Sequence, residues 1–435
     1  MESNIFGLLF YLIPMVGIWS IYAIRRSRRH AQSAQLLEEA EMSGLTEPSS
    51  LHPRIDPSRC LGCGTCVSAC PEGEILGLHK GKAVLVKPTS CIGHGACKEA
   101  CPQDAIRLVL GTDRRGVEVP VTDSNFETNV PGLFVAGEVT GMGLIRNAIT
   151  QGTQALDAAS AYAHGESKDD RLDAVIVGVG PAGLAASLRA AELGLNFATL
   201  EQDTLGGTIA HYPRGKVVMT SPVELPGYGS VKLRETSKEH LLKLWADAIR
   251  KSGLRIQSGQ RVKAIQKDSD GLIVETLTKS FKSRSVLLCI GRRGSPRRLG
   301  VAGEELQKVV YRLVDAEQYR GRRVMVFGGG DSALEAAISL SEQPGTEVSL
   351  CYRGESFSRA KQANREQVET AASKSSLQVI LGATPDAILP ESVQIRTAGG
   401  VKEIANDDVI VCIGGELPTE FLKESGISIE TRHGE

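Results

Sequence analysis

Seven of the ten cysteines lie between Cys60 and Cys101, and their spacing is the first sign of chemistry. Cys60, Cys63, Cys66 and Cys70 form a C-x2-C-x2-C-x3-C-P run. Thirty-one residues later the pattern returns as Cys91, His94, Cys97 and Cys101-Pro102, with a histidine in the second place. Clustering at short, regular intervals indicates metal ligation rather than a disulfide framework. Three thiolates on a tight Gly-containing turn can reach three irons of one cubane, while a fourth, at the start of a helix, points to a neighbouring cluster. The other three, Cys289, Cys351 and Cys412, sit in the apolar runs VLLCIG, VSLCYRG and VIVCIG and are expected to be buried hydrophobes at strand ends.

Two glycine turns offer a second kind of chemistry. The apolar strand Asp173–Val177 runs into Gly178-Val-Gly180-Pro-Ala-Gly183, which opens an Ala- and Leu-rich helix; the next strand, FATLE, ends at Glu201. In this βαβ setting glycines let backbone approach a pyrophosphate, the helix N-terminus faces it, and the acid serves the ribose hydroxyls. The strand RRVMVF leads into a second such turn, Gly328-Gly-Gly330-Asp-Ser-Ala333. Its following strand ends in Tyr352 and Arg353 where the first has an acid. A guanidinium there removes repulsion from a 2′-phosphate and can pair with it, so NADPH is expected over NADH, with Arg353 and Arg359 as the selective contacts. The alternative for these arginines is a solvated loop.

The thiol module resembles a bacterial two-cluster ferredoxin from Ile55 to Leu110, including the repeat ACPEGEILGL against ACPQDAIRLV. By that resemblance Cys60, Cys63, Cys66 and Cys101 hold one [4Fe–4S] cluster. The second takes Cys91, Cys97 and Cys70, with His94 either as fourth ligand or filling the vacancy of a [3Fe–4S] site. Zinc is the remaining alternative.

The two turns together resemble the flavin reductases of the thioredoxin-reductase and ferredoxin–NADP-reductase type from about Arg171 to the C-terminus. The likeness extends to Gly206-Gly207, the link CIGRRGSPRRLGVAGE and the exit NDDVIVCIGGELPTEFL. It implies FAD at the first turn and the nicotinamide nucleotide at the second, and it adds Ala182 and Val262 to the FAD set. Members of that family end in a segment like TNVPGLFVAGE; here it stands at 128–138, ahead of the first turn, while the chain closes on GISIETRHGE. Circular permutation accounts for this order, since it is tolerated where termini lie close together. It implies that Gly137, Glu138 and Asn147 serve the FAD, and that the chain end lies beside RRGVEVPVTD.

Ile5 to Ile24 is an uncharged run about as long as a bilayer-crossing helix, followed at once by RRSRRH. The positive-inside rule then places the catalytic part in the cytoplasm, on the inner (cytoplasmic) membrane, in single-pass topology. Net charge is −1, from 50 basic and 51 acidic residues, which gives no reason to expect a nucleic-acid partner. The expected fold is α/β: two Rossmann-like (FAD and NADP) domains, a small α+β ferredoxin-like domain and an N-terminal transmembrane helix. Expected bounds are 5–24 for that helix, 25–52 for a linker, 53–110 for the cluster domain, 111–165 for the permuted flavin segment, 171–295 for the FAD domain, 296–405 for the NADPH domain and 406–435 for the return.

Missing thiols bear on the reaction. The positions where disulfide-reducing relatives of this type carry cysteines read YRLVDAEQYRGRR, GGTIAHYPRG and Ala182. Electrons are therefore expected to pass between NADPH, FAD and the clusters and a ferredoxin- or flavodoxin-like partner. The alternatives are a membrane quinone or cytochrome as acceptor, and a non-enzymatic redox sensor. A homodimer is expected.

Overall fold

The computed structural model describes the chain except residues 1, 43–45, 49–50, 115, 164–169, 213–216, 220–221, 233–234, 293–294, 358–359, 361, 375–376 and 435. It divides into two compact units, Met1–Arg115 with Gly434–Glu435, and Gly116–His433.

In the first unit the strand His52–Ile55 pairs antiparallel with Ile106–Val109, so the two ends of the thiol module close on each other. A hairpin of Leu76–His79 and Lys82–Leu85 lies between the two thiol runs. The sequence repeat is a conformational repeat as well. Gly62 and Gly93 have φ of 67° and 80°, and Gly64 and Gly95 have 78° and 84°, each of the latter pair capping a short helix, Thr65–Ala69 or Ala96–Glu99. A Cβ on Gly62 would lie 2.0 Å from Gly81 O and one on Gly93 2.6 Å from Leu51 O, so glycine is required on steric as well as torsional grounds.

The N-terminal expectations are corrected here. One helix runs from Glu2 to Met42. Among the described residues no helix is long and apolar enough to cross a membrane. The side chains of 5–11 and 13, the first part of the apolar run Ile5–Ile24, lie outside the described residues. The expected linker 25–52 is helical over its first part: the helix continues to Met42 and docks on the hairpin. Ser33 is buried, accepts from Leu78 N–H at 3.2 Å and donates to Arg29 O at 2.9 Å, and Gln32 donates to Glu74 at 2.7 Å. Burial of Ser33 and Ala40, seven residues apart, puts both on one helix face.

The second unit holds two sheets. The larger has the order Ile256–Gln257, Phe197–Leu200, Leu172–Val177, Ser280–Leu288, Gly271–Thr276, Val262–Asp268. Its seventh strand, Leu133–Val135, runs parallel along the C-terminal half of Ser280–Leu288, pairing Leu133 with Val286 and Val135 with Leu288. All three residues of that strand are at most 1% exposed, as expected of a strand covered on both faces. The helices Ile145–Ala159 and Pro181–Glu192 pack on this sheet through small side chains: Ala148, Ala155 and Ala159 meet Ala182, Ala186 and Ala190. A Cβ on Gly152 would lie 2.1 Å from Ala182 O, which sets how closely the helices approach.

The smaller sheet is parallel, in the order Val309–Val310, Asp408–Val411, Arg323–Phe327, Glu347–Cys351, Leu377–Ile380. Asp408–Val411 is fully part of it, so this lobe extends past the expected boundary at 405. The crossings between the lobes instead pair with each other, Ser295–Pro296 against Gly415–Glu416. The chain end Ile429–Arg432 pairs antiparallel with Val117–Pro120, from Ile429↔Pro120 to Arg432↔Val117. This is the juxtaposition that the permuted order requires.

Candidate functional site

The first glycine turn is held by backbone bonds from the neighbouring strand. Gly178 N–H donates to Leu200 O at 2.8 Å, and Val179 N–H donates to Glu201 Oε2 at 2.7 Å. Glu201 is 6% exposed, and its other oxygen accepts from Asp203 N–H at 2.9 Å. A carboxylate fixed by two backbone donors still has lone pairs for ribose hydroxyls. Gly178 has φ of 95°, and a Cβ on Gly183 would lie 1.8 Å from Gly178 O, so the helix starts as close to the strand as backbone allows. Gly206 N–H donates to Val179 O at 2.9 Å, and a Cβ on Gly207 would lie 3.3 Å from Gly180 Cα. Gly178, Gly180, Gly183, Glu201, Gly206 and Gly207 thus form one cradle, open at the N-terminus of the helix Pro181–Glu192, an end suited to an anion.

The upstream segment enters the same cradle. Gly137 has φ of 89°, and a Cβ there would lie 3.0 Å from the Ala182 Cβ, bringing Gly137 against the turn. Its N–H donates to the buried Gln151 Oε1 at 2.9 Å. Glu138 follows, half-buried, at the start of the turn Glu138–Thr140. Gln151 is a site residue that sequence reading missed; a lone polar residue on an otherwise apolar helix face was its only trace. Asn147 is half-buried in the first turn of the helix Ile145–Ala159. Val262 stands apart from the glycines on the strand Val262–Asp268, two residues beyond Gln260, whose N–H donates to Glu201 O at 2.9 Å.

The second turn repeats the first in register. Gly328 N–H donates to Cys351 O at 3.0 Å. Gly328 has φ of 145°, and a Cβ there would lie 2.8 Å from the Ala333 Cβ. Gly330 precedes the helix Asp331–Ser341, with Ala333 fully buried in its first turn. Tyr352 follows the strand directly, with its ring against Gly329, and Arg353 beside it is exposed. Arg359 lies outside the described residues.

In the other unit, Cys70, Cys91, His94 and Cys97 all line one small pocket, together with Glu72, whose Oε1 lies 3.8 Å from His94 Nε2. This is the set expected for the second cluster. Cys60, Cys66 and Cys97 are buried together with Leu76, Ala83 and Ile106, with Cys101 partly buried against them. Among the described residues no three side chains converge closely enough for a single metal ion. Burial pushes the Cys66 and Cys91 thiols up to about 11, and raises Cys97 and Cys70. Cys63 is exposed and lowered, its Sγ 3.1 Å from Thr65 Oγ1. Ligation needs thiolates, so loading this module releases protons.

Comparison with known proteins bears on both units. A family model described as pyridine nucleotide-disulphide oxidoreductase matches residues 175–434. The chain belongs to that family. A model described as a 4Fe-4S dicluster domain matches residues 52–102. FAD and NADP binding go with the first match and iron–sulfur binding with the second, and the glycine cradle and the clustered thiols fit both. Among curated relatives, a ferredoxin–NADP reductase of Ignicoccus hospitalis is 28% identical over 268 residues, covering 59% of this chain and 82% of its own. The bacilliredoxin reductase Bdr of Bacillus subtilis is 25% identical over 270 residues, covering 60% and 82%. The solved bacillithiol disulfide reductase Bdr (YpdA) of Staphylococcus aureus shares the fold, with a TM-score of 0.52 at 24% identity, covering 59% of this chain and 80% of that one. The family match begins at residue 175, yet Leu133–Val135 and Ile145–Ala159 belong to the same sheet and helix layer.

Proposed function

We propose that this protein moves electrons between NADPH and a ferredoxin- or flavodoxin-like partner, as a flavin and iron–sulfur reductase that does not act on disulfides. One observation carries the reading. A single chain joins two dinucleotide turns to a module with seven cysteines and His94, and the thiols elsewhere are solitary. Burial pushes Cys351 and Cys412 up to about 12 and raises Cys289 as well, so none is placed as a reactive thiolate. When bound, the flavin supplies the exchange of a hydride for single electrons, and the clusters carry electrons one at a time.

The residues of the chain bind and orient. Gly178, Gly180 and Gly183 admit the pyrophosphate of FAD, Glu201 accepts from its ribose, and Gly137 and Glu138 close the same cradle from the upstream segment. The pairing of Ile429–Arg432 with Val117–Pro120 supports a permuted flavin domain whose transposed end precedes its first strand. Cys60, Cys63, Cys66 and Cys101 would hold one cluster, and Cys91, Cys97, Cys70 and His94 the other. Arg353 favours the 2′-phosphate of NADPH.

The names of the Bdr relatives favour a rival reading, disulfide reduction. Steady-state NADPH oxidation by the full chain separates the two. The proposal expects turnover with a ferredoxin or flavodoxin and none with bacillithiol disulfide or a protein disulfide; the opposite pattern sinks it.

A further inference from the structure

The two glycine turns can be superimposed residue by residue on their hydrogen bonding, and they differ in what stands behind the middle residue. Val177 pairs with Leu200 and Phe327 with Cys351, each the last pair before the turn. The next residue of the neighbouring strand is therefore Glu201 in one and Tyr352 in the other. In the first turn the middle residue, Val179, donates its N–H to the Glu201 carboxylate. In the second the middle residue is Gly329, and a Cβ on it would lie 2.4, 2.4 and 2.5 Å from Cδ2, Cε2 and Cζ of Tyr352. Near-equal distances to three consecutive ring atoms mean that the face of the ring, not its edge, covers Gly329. Phe357 stacks on the ring with centroids 5.7 Å apart and planes 22° apart, and a Cβ on Gly354 would lie 2.7 Å from Cε1. Gly329 is not among the glycines with positive φ. Its lack of a side chain answers to the ring and not to backbone torsion.

We propose that Tyr352 is the specificity-determining residue of the second turn: its ring, wedged between Gly329 and Phe357, occupies the place of the ribose-binding carboxylate. The inference rests on the NADPH reading above and names a residue that enforces it. A carboxylate at this position accepts from a free 2′-hydroxyl and repels a 2′-phosphate. An aromatic ring does neither, so the adenosine end of the nucleotide is judged by Arg353 next to it, with no carboxylate at the place that Glu201 holds in the first turn.

The test is calorimetric binding of 2′,5′-ADP and 5′-ADP to the full-length, cofactor-loaded protein, with flavin content and melting temperature as checks on folding. Wild type is expected to prefer 2′,5′-ADP. Tyr352→Glu should shrink that preference by about tenfold or more, since one added negative charge beside a phosphate readily supplies a factor of ten. Tyr352→Phe should leave it unchanged. Gly329→Ala should lose affinity for both ligands, and Gly329→Ala combined with Tyr352→Ala should regain it, because the three atoms nearest the added methyl all belong to the ring. A wild type without preference overturns the NADPH reading itself. A wild-type preference that survives unchanged in Tyr352→Glu overturns the assignment of Tyr352 alone. Gly329→Ala that binds as wild type overturns the ring contact.

Discussion

The two lobes of the larger unit use one backbone device for two different tasks. Each has a strand, a glycine turn and a helix starting almost on the strand, and each receives a bond from the turn's first N–H at 2.8 or 3.0 Å. They diverge in the side chains that support the turn. The first is built from polar anchors: Glu201 fixes Val179 and Asp203, and Gln151 reaches in from the upstream helix to fix Gly137. The second is built from rings, Tyr352 on Gly329 and Phe357 on Tyr352. The lesson is that a fingerprint reports only the approach of backbone to phosphate. Which nucleotide is selected depends on what replaces the acid.

That contrast can be broken most severely at the third glycine. Gly183→Ala places a methyl 1.8 Å from Gly178 O, whereas the corresponding Ala333 already carries a methyl in the second turn. We expect Gly183→Ala to cost about 3 kcal/mol and to abolish flavin retention, by urea unfolding and absorbance, against about 1 kcal/mol for Ala333→Gly. Next is the helix that only the first lobe borrows from upstream. Gly152→Val sets side-chain atoms against Ala182 O and should cost about 2 kcal/mol with partial flavin loss; unaltered stability would mean that Ile145–Ala159 does not seat as described.

The supporting side chains come third. Glu201→Gln turns one acceptor oxygen into a donor facing a backbone N–H and should cost about 1–3 kcal/mol, while Tyr352→Phe should stay within about 0.5 kcal/mol of wild type. Equal effects at the two positions would erase the polar-against-aromatic distinction. The smallest effect lies at the strand starts, where the lobes agree: Arg171 pairs with Asp268, and Arg323 with Asp407 at 2.6 Å. Hydrogen bonds from Arg323 hold the Asp407 carboxyl down at about 2. Because its folded value lies below the unfolded one, its contribution is complete above the usual carboxylate range and fades as pH falls towards 2. Asp407→Asn should remove that acid-dependent step, worth about 1 kcal/mol or less at this partly exposed pair. An acid unfolding profile superimposable on wild type would deny the pair any role.

How far the sequence carried this reading depended on the range of each signal. The thiol runs and glycine turns are local, because spacing along the chain alone sets which backbone approaches a ligand, and the chain places them where they were expected. The upstream GLFVAGE segment was legible for the same reason, and the pairing of Ile429–Arg432 with Val117–Pro120 followed from connectivity. Gln151 and the Tyr352 ring were not legible as supports, since each acts across a tertiary contact that no periodicity encodes. The helix through 25–42 was misjudged because its polar composition resembles a tether. Its place is fixed by Ser33, which is buried and bonded to Leu78 of the hairpin. The strand Asp408–Val411 was cut from its lobe because an apolar run does not announce which sheet it joins.

The central claim is that electrons entering from NADPH leave through the iron–sulfur module and not through a thiol pair. Anaerobic titration of the loaded protein with NADPH, followed by absorbance and low-temperature EPR, tests it most directly. The account predicts bleaching of the flavin and EPR signals of reduced clusters with NADPH as sole reductant, with no new titratable thiols. Flavin bleaching with EPR-silent, oxidised clusters and newly released thiols would contradict it.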